Sequence, residues 1–165
     1  MEIKRKILVN RPMMECWEVL GNQYSQIHKW ASPVNHSEGD NKQGLNGATC
    51  DVRGCNVDGM GNISEKLLEF DPLNHFLSYE IITGLPSMMK SGKNSWKLRS
   101  KHGDQTELEM LAHIEPKGII GNLMKPMIKL QFNKMAKTLV EDFKYYVENN
   151  QPHPRKVKAA EKYAA

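Results

Sequence analysis

The chain has 165 residues, of which 39% are hydrophobic and 25% charged, with a formal net charge of +4. That length suits one domain with a real core, and those fractions exclude a disordered chain and a membrane-embedded one. The basic residues are scattered, and the densest group, Arg155, Lys156 and Lys158, is too short to mark a nucleic-acid surface, so no nucleic-acid partner is expected. In chain order, residues 3–10 predict a strand with Ile3, Ile7 and Val9 on one face. Asn10-Arg11-Pro12 then opens a helix, because proline is tolerated in a first turn whose N–H groups lack partners. Met13, Met14, Trp17 and Leu20 follow at helical spacing, and a second short helix is predicted over 24–30, carrying Ile27 and Trp30.

From Pro33 to Glu115 the pattern turns to strands, predicted near 33–40, 47–55, 61–70, 75–83, 92–101 and 104–115. Turn signals such as Asp71-Pro72-Leu73-Asn74 and His102-Gly103-Asp104 separate them, which makes an antiparallel meander. Gly84-Leu85-Pro86 predicts a longer, mobile loop to Gly92. Ile120, Met124, Ile128, Phe132, Met135, Leu139, Phe143 and Tyr146 form one apolar stripe of a helix over 119–149. Pro126 should kink that helix or start it afresh. Residues 151–165 carry too few apolar groups to offset ordering and are expected to be a flexible basic tail behind a domain over 1–150.

A sheet with one face to bury and a long helix with one apolar stripe satisfy each other. The expected fold is α+β: a curved antiparallel sheet of six or seven strands around a long C-terminal helix, with two short helices after the first strand. A strongly twisted sheet curls around such a helix and leaves room at its centre. Alternation places Leu77, Tyr79 and Ile81, Trp96 and Leu98, and Leu108 and Met110 on the inner faces. Trp30 from the short helices and Met124, Met127 and Gln131 from the long one are expected to complete a ligand-binding wall. Solid core is the competing reading for every one of these positions, since interiors are normally close-packed.

The order of elements and several short stretches resemble the polyketide cyclase/dehydrase-like branch of the START/SRPBCC superfamily. The stretches are Pro12 to Leu20 around Trp17, Ile27-His28-Lys29-Trp30, Pro33-Val34, Ser37-Glu38-Gly39 and Gly47-Ala48-Thr49. The run Ile63 to Asp71 looks like the family's acidic strand motif, and Ser78-Tyr79-Glu80-Ile81 like its neighbour. The likeness spans residues 3–149. It implies a helix-grip fold with a hydrophobic cavity, and it implies no single reaction, since members include lipid and sterol carriers, hormone receptors and aromatic cyclases. Several relatives carry an arginine near Cys50. Here a thiol stands there, and alternation counted from Cys50 sends Arg53 to the opposite face.

Glu65 and Tyr79 are the catalytic candidates. Glu65 alternates with Ile63 and Leu67 and so faces inward; a carboxylate in an apolar cavity without a cation has a raised pKa and can act as general acid or ligand anchor. A rim position or a structural hydrogen bond is the bland alternative for Glu65, and a satisfied core hydroxyl for Tyr79. The six histidines form no metal-ligand spacing, and Cys50 and Cys55, five apart, fall on opposite faces, so no metal and no cofactor are expected. The odd cysteine count and the lack of an apolar leader or of a run near ~18 apolar residues predict a cytoplasmic protein with reduced thiols and no stable membrane insertion.

Binding of a small hydrophobic or lipid-like ligand, as carrier or sensor, ranks first because no catalytic set is visible. A ligand burying ~300 Å² of apolar surface gains about 7 kcal/mol, and association costs of ~4 kcal/mol or more subtract from it, so polar anchors matter. A cyclase or dehydratase working in the same cavity is the alternative. A third reading is a protein-interaction role through the 84–92 loop and the basic tail. A monomer or weak homodimer is expected.

Overall fold

Period-two alternation builds the seven strands. The computed structural model describes residues 1–164. Strand β1 (Glu2–Val9) leads into helix α1 (Met13–Trp17), a π turn over Glu18–Asn22 and a 3-10 helix over Tyr24–Lys29. Then come β2 (Val34–Gly39), β3 (Val52–Val57), β4 (Gly61–Asp71), β5 (Phe76–Thr83), β6 (Met89–Ser100) and β7 (Thr106–Pro116). Helices α2 (Gly118–Leu123), α3 (Lys125–Asn149) and α4 (Pro154–Ala164) close the chain. All seven strands form one antiparallel sheet in the order β1-β7-β6-β5-β4-β3-β2. The last six make a meander, and β1 returns to pair with β7.

The expected α+β arrangement is present: α3 lies against the inner face of the sheet through Ile128, Ala136, Leu139, Phe143 and Val147. Its proline sits in the first turn, so Pro126 marks a fresh helix rather than a kink, and α2 ends just before it. A register shift between Leu67 and Glu69 reverses the parity of β4, so Ile63, Glu65 and Leu67 point inward, as does Phe70, while Leu68 points out. Two glycines allow close approaches at one end of the sheet. A Cβ at Gly84 (φ +82°) would meet Asn62 O at 2.2 Å, and one at Gly121 would meet Met88 O at 2.5 Å.

Several expectations are corrected. The strand expected over 47–55 runs from Val52 to Val57, preceded by a 3-10 turn at Leu45–Gly47 and a bend at Asp51. Cys50 therefore lies outside the strand, and parity counted from it does not transfer. Cys50 and Cys55 are both buried, and Arg53 points inward at 2% exposure. The 84–92 loop is shorter, because β6 already begins at Met89. Ile120, placed on the buried stripe, is 70% exposed, because α2 is a separate helix with its own phase.

The flexible tail expected over 151–165 is, through Ala164, helix α4 with specific anchors. The Arg155 guanidinium donates to Asp142 Oδ1 (2.5 Å), Glu141 Oε2 (3.0 Å) and Thr138 O (3.0 Å) on α3. The buried Lys156 ammonium donates to Val34 O at 2.6 Å. Two of the three residues of the densest basic group are thus consumed by the fold. Charge-assisted bonds to buried acceptors supply what the tail lacks in apolar surface.

Candidate functional site

The inner face of the sheet and the first half of α3 do not meet everywhere. Between them lies a cavity of about 90 Å³. Val34, Cys55, Val57, Ile63, Ile81, Ala112 and Ile114 line its sheet side, and Phe132, Ala136 and Leu139 its helix side. Four methionines, Met60, Met89, Met110 and Met135, complete the wall. Their unbranched, polarizable side chains adapt to irregular contents. Against this apolar surface stand four polar residues, Glu65, Tyr79, Asn94 and Lys93, the last with its ammonium turned to Glu80 at 3.7 Å.

Glu65 and Arg53 are a directly paired couple across β4 and β3. Arg53 Nε and Nη2 both donate to Glu65 Oε2, at 2.9 and 2.6 Å, and Cys55 Sγ approaches the same oxygen at 3.4 Å. Nη1 donates to Tyr24 O at 2.7 Å. The guanidinium lies over the Tyr24 ring (4.0 Å) and near the Tyr79 ring (5.1 Å). Cation–π contact and three charge-assisted bonds make up for the desolvation of a cation that is 2% exposed. Burial is the largest single effect and opposes its charge, but Glu65 together with Tyr24, Cys55 and Tyr79 outweighs it, so the Arg53 pKa rises well above its usual value. No hydrogen bond from the described residues reaches Glu65 Oε1. Oε1 of this cavity-lining residue is thus a carboxylate acceptor with no donor among the described residues.

Tyr79 stands beside the pair. Its Oη accepts from Asn94 Nδ2 (2.9 Å) and Trp96 Nε1 (3.4 Å). Burial first, then the charge of Glu65, pushes its pKa up to about 12, so the ring keeps its proton. Asn94 Oδ1 is buried with no partner. Turning that amide over would let Tyr79 donate to Oδ1 and strand the amino group instead, so one end of Asn94 lacks a partner either way. Burial likewise pushes the Cys55 thiol up to about 12, which makes it a packing residue rather than a nucleophile.

Of the residues expected on the wall, Glu65, Tyr79, Ile81 and Met110 line the cavity. Trp30, Leu77 and Trp96 do not; they border a void of about 10 Å³ on the other side of Tyr79. Trp30 meets Trp96 edge-on at 6.3 Å and Phe143 at 5.4 Å, a filled aromatic core. Leu98 and Leu108 are fully buried in that core and touch neither space. Met124 packs at the edge of the core near α2, while Met127 (49% exposed) and Gln131 face away from the sheet. The helix wall comes instead from Phe132, Met135, Ala136 and Leu139, one turn further along. His28 donates or accepts at Ser37 Oγ (2.8 Å) and stays off the cavity wall. Arg53 and Asn94 were missed by the sequence reading. Alternation within 52–57 signals Arg53, and alternation back from Leu98 and Trp96 puts Asn94 on the same inner face.

Comparison with known proteins follows the same lines. The sequence profile of the family described as "Polyketide cyclase / dehydrase and lipid transport" matches residues 1–148. No functionally curated protein matches the sequence. Among solved structures, a START superfamily protein from Mycobacterium smegmatis superposes with a TM-score of 0.72 at 12% identity, over 91% of this chain and 99% of that one. XoxI from Bacillus cereus gives a TM-score of 0.71 at 14% identity, over 92% and 99%. A Thermus thermophilus protein gives 0.71 at 14%, over 89% and 97%. At these identities the likeness is one of fold, and the helix-grip architecture is common to all.

Proposed function

Because the chain belongs to the polyketide cyclase/dehydrase and lipid transport family, we propose that it carries or senses a small, largely apolar molecule bearing one hydrogen-bond donor. The observation that carries this reading is the free Glu65 Oε1 on the lining of a largely apolar cavity. An apolar wall supplies affinity, and one fixed acceptor sets orientation. Arg53 holds the carboxylate still, so binding does not have to order that side chain. A cyclase or dehydratase needs a proton donor at this place. Glu65 is already committed to Arg53 through Oε2, so binding ranks above chemistry.

The volume limits the occupant. A dry apolar cavity of ~150 Å³ takes benzene, and this one holds about 90 Å³ as it stands. A larger guest therefore requires Met60, Met89, Met110 or Met135 to change rotamer.

Titration with the neutral fluorophore N-phenyl-1-naphthylamine tests the reading. Saturable binding to the full chain is expected, weakened at least tenfold in Ala112→Leu and Ala136→Phe, which fill the space, with circular dichroism unchanged. Absence of binding to this probe and to a panel of fatty alcohols and phenols, with nothing retained in native mass spectrometry after exposure to a lipid extract, would overturn it.

A further inference from the structure

Between Glu115 and Glu141 the chain has no acidic residue and five lysines: Lys117, Lys125, Lys129, Lys134 and Lys137. Among the described residues only Lys137 of these forms an ion pair, with Glu141 at 3.8 Å. The same segment holds the densest group of exposed large apolar side chains: Ile119 (88%), Ile120 (70%), Leu123 (81%), Met127 (49%) and Leu130 (73%). On α3, Met127, Leu130, Lys134 and Lys137 fall within about 80° of arc on the side away from the sheet. Isolated exposed leucines need no explanation, but contiguous ones rimmed by one sign of charge mark a contact surface.

We propose that the outer face of α2 and the first turns of α3 docks reversibly on an anionic lipid bilayer. Isoleucine, leucine and methionine enter the headgroup boundary, and the lysine stems reach sideways so that their ammonium groups meet phosphate and carboxylate headgroups. Charge decides against a second copy of this chain. A two-fold contact through this face would set lysines against lysines with no carboxylate between them. The depth is that of a surface helix, since no helix of the described residues is long and apolar enough to cross a membrane. The placement matters: the opposite side of α3, through Phe132, Met135 and Ala136, roofs the cavity. Docking would bring that roof to the bilayer, where amphiphiles are held. The surface itself does not depend on what fills the cavity.

Flotation of the full chain with vesicles tests this. Binding is expected to vesicles containing about 30% phosphatidylserine and not to phosphatidylcholine alone, and to weaken steeply from ~0.1 M to ~1 M salt. Lys125→Glu/Lys129→Glu/Lys134→Glu and Leu123→Ser/Leu130→Ser should each lower it about tenfold or more. Their thermal midpoints should stay unchanged, because all five side chains are exposed. Failure to float with any vesicle, or flotation indifferent to both variants, would overturn the proposal. So would a dimer in sedimentation that the leucine variant dissolves while vesicles are ignored.

Discussion

Arg53 places both of its bonds to Glu65 on a single oxygen, Oε2, and so leaves Oε1 of the same cavity-lining carboxylate without a donor among the described residues. One pair thus does two jobs. It neutralises a charge inside the sheet, and it fixes a free acceptor at the wall.

Removing one partner strands the other. Arg53→Leu should cost about 3–5 kcal/mol, because a buried carboxylate loses its cation. Arg53→Leu/Glu65→Leu should recover most of that, since an apolar pair leaves nothing unpaired. Urea denaturation of both proteins decides it; a double variant no more stable than the single one contradicts the account.

The free oxygen should select among ligands. Glu65→Gln keeps the shape and loses the charge-assisted bond, worth roughly 1.5–3 kcal/mol. An alcohol or phenol should bind the variant about tenfold more weakly, whereas its methyl ether, which has no donor, should bind both proteins alike. Calorimetric titration of the two compounds reads the difference.

Helix α4 is held by its charges. Asp142 is wholly buried and accepts from Ser32 N (2.7 Å) as well as from Arg155. Arg155→Ala should cost about 2 kcal/mol, the scale of hydrogen bonds to a charged group. Residues beyond Asn150 should then be cleaved by trypsin ahead of the rest, as limited proteolysis with mass readout would show.

The outer face of β1, β6 and β7 sets an acid response. Glu109 pairs with Lys6 (3.0 Å), Lys4 (3.1 Å) and Arg99 (3.4 Å), and the Lys6 bond foremost lowers its pKa from 4.5 to about 2. A depressed carboxylate stabilises the fold above its unfolded pKa and loses that contribution as pH falls through the folded one. Stability should therefore decline between about pH 4.5 and about pH 2. Glu109→Gln should flatten that part of the curve in urea midpoints measured across the range.

All three thiols are shielded. Burial raises Cys16 to about 11 and Cys55 to about 12, and Cys50 is raised from its usual value by the same cause. Native protein at pH 8 should resist iodoacetamide over hours and take up three labels once unfolded, counted by mass.

Much of this architecture was legible in the chain. The inward parity of Leu77 and Tyr79, of Trp96 and Leu98, and of Leu108 and Met110 is a local property of extended backbone, and it holds in the structure. The stripe Ile128, Phe132, Met135, Leu139 and Phe143 is equally local and covers the sheet as its spacing requires. Arg53 shows where that logic fails. Within Val52–Val57, burial alternates and points Arg53 inward. Carrying the count back to Cys50 crosses the bend at Asp51 and inverts the answer.

The sequence by itself determined the order of the strands, the antiparallel meander and the apolar stripe of the long helix, because alternation and helical spacing are written between near neighbours. Only the tertiary structure decided which inward residues meet solid core and which meet open space: Trp30, Leu98 and Leu108 the former, Glu65 and Met110 the latter. It alone decided that Glu65 has a cation and that Arg155 and Lys156 are anchors. Those outcomes rest on groups 12, 13 and 122 residues apart. Burial of a charge is tolerated or forbidden by what the whole fold sets beside it, and short-range spacing carries no record of that.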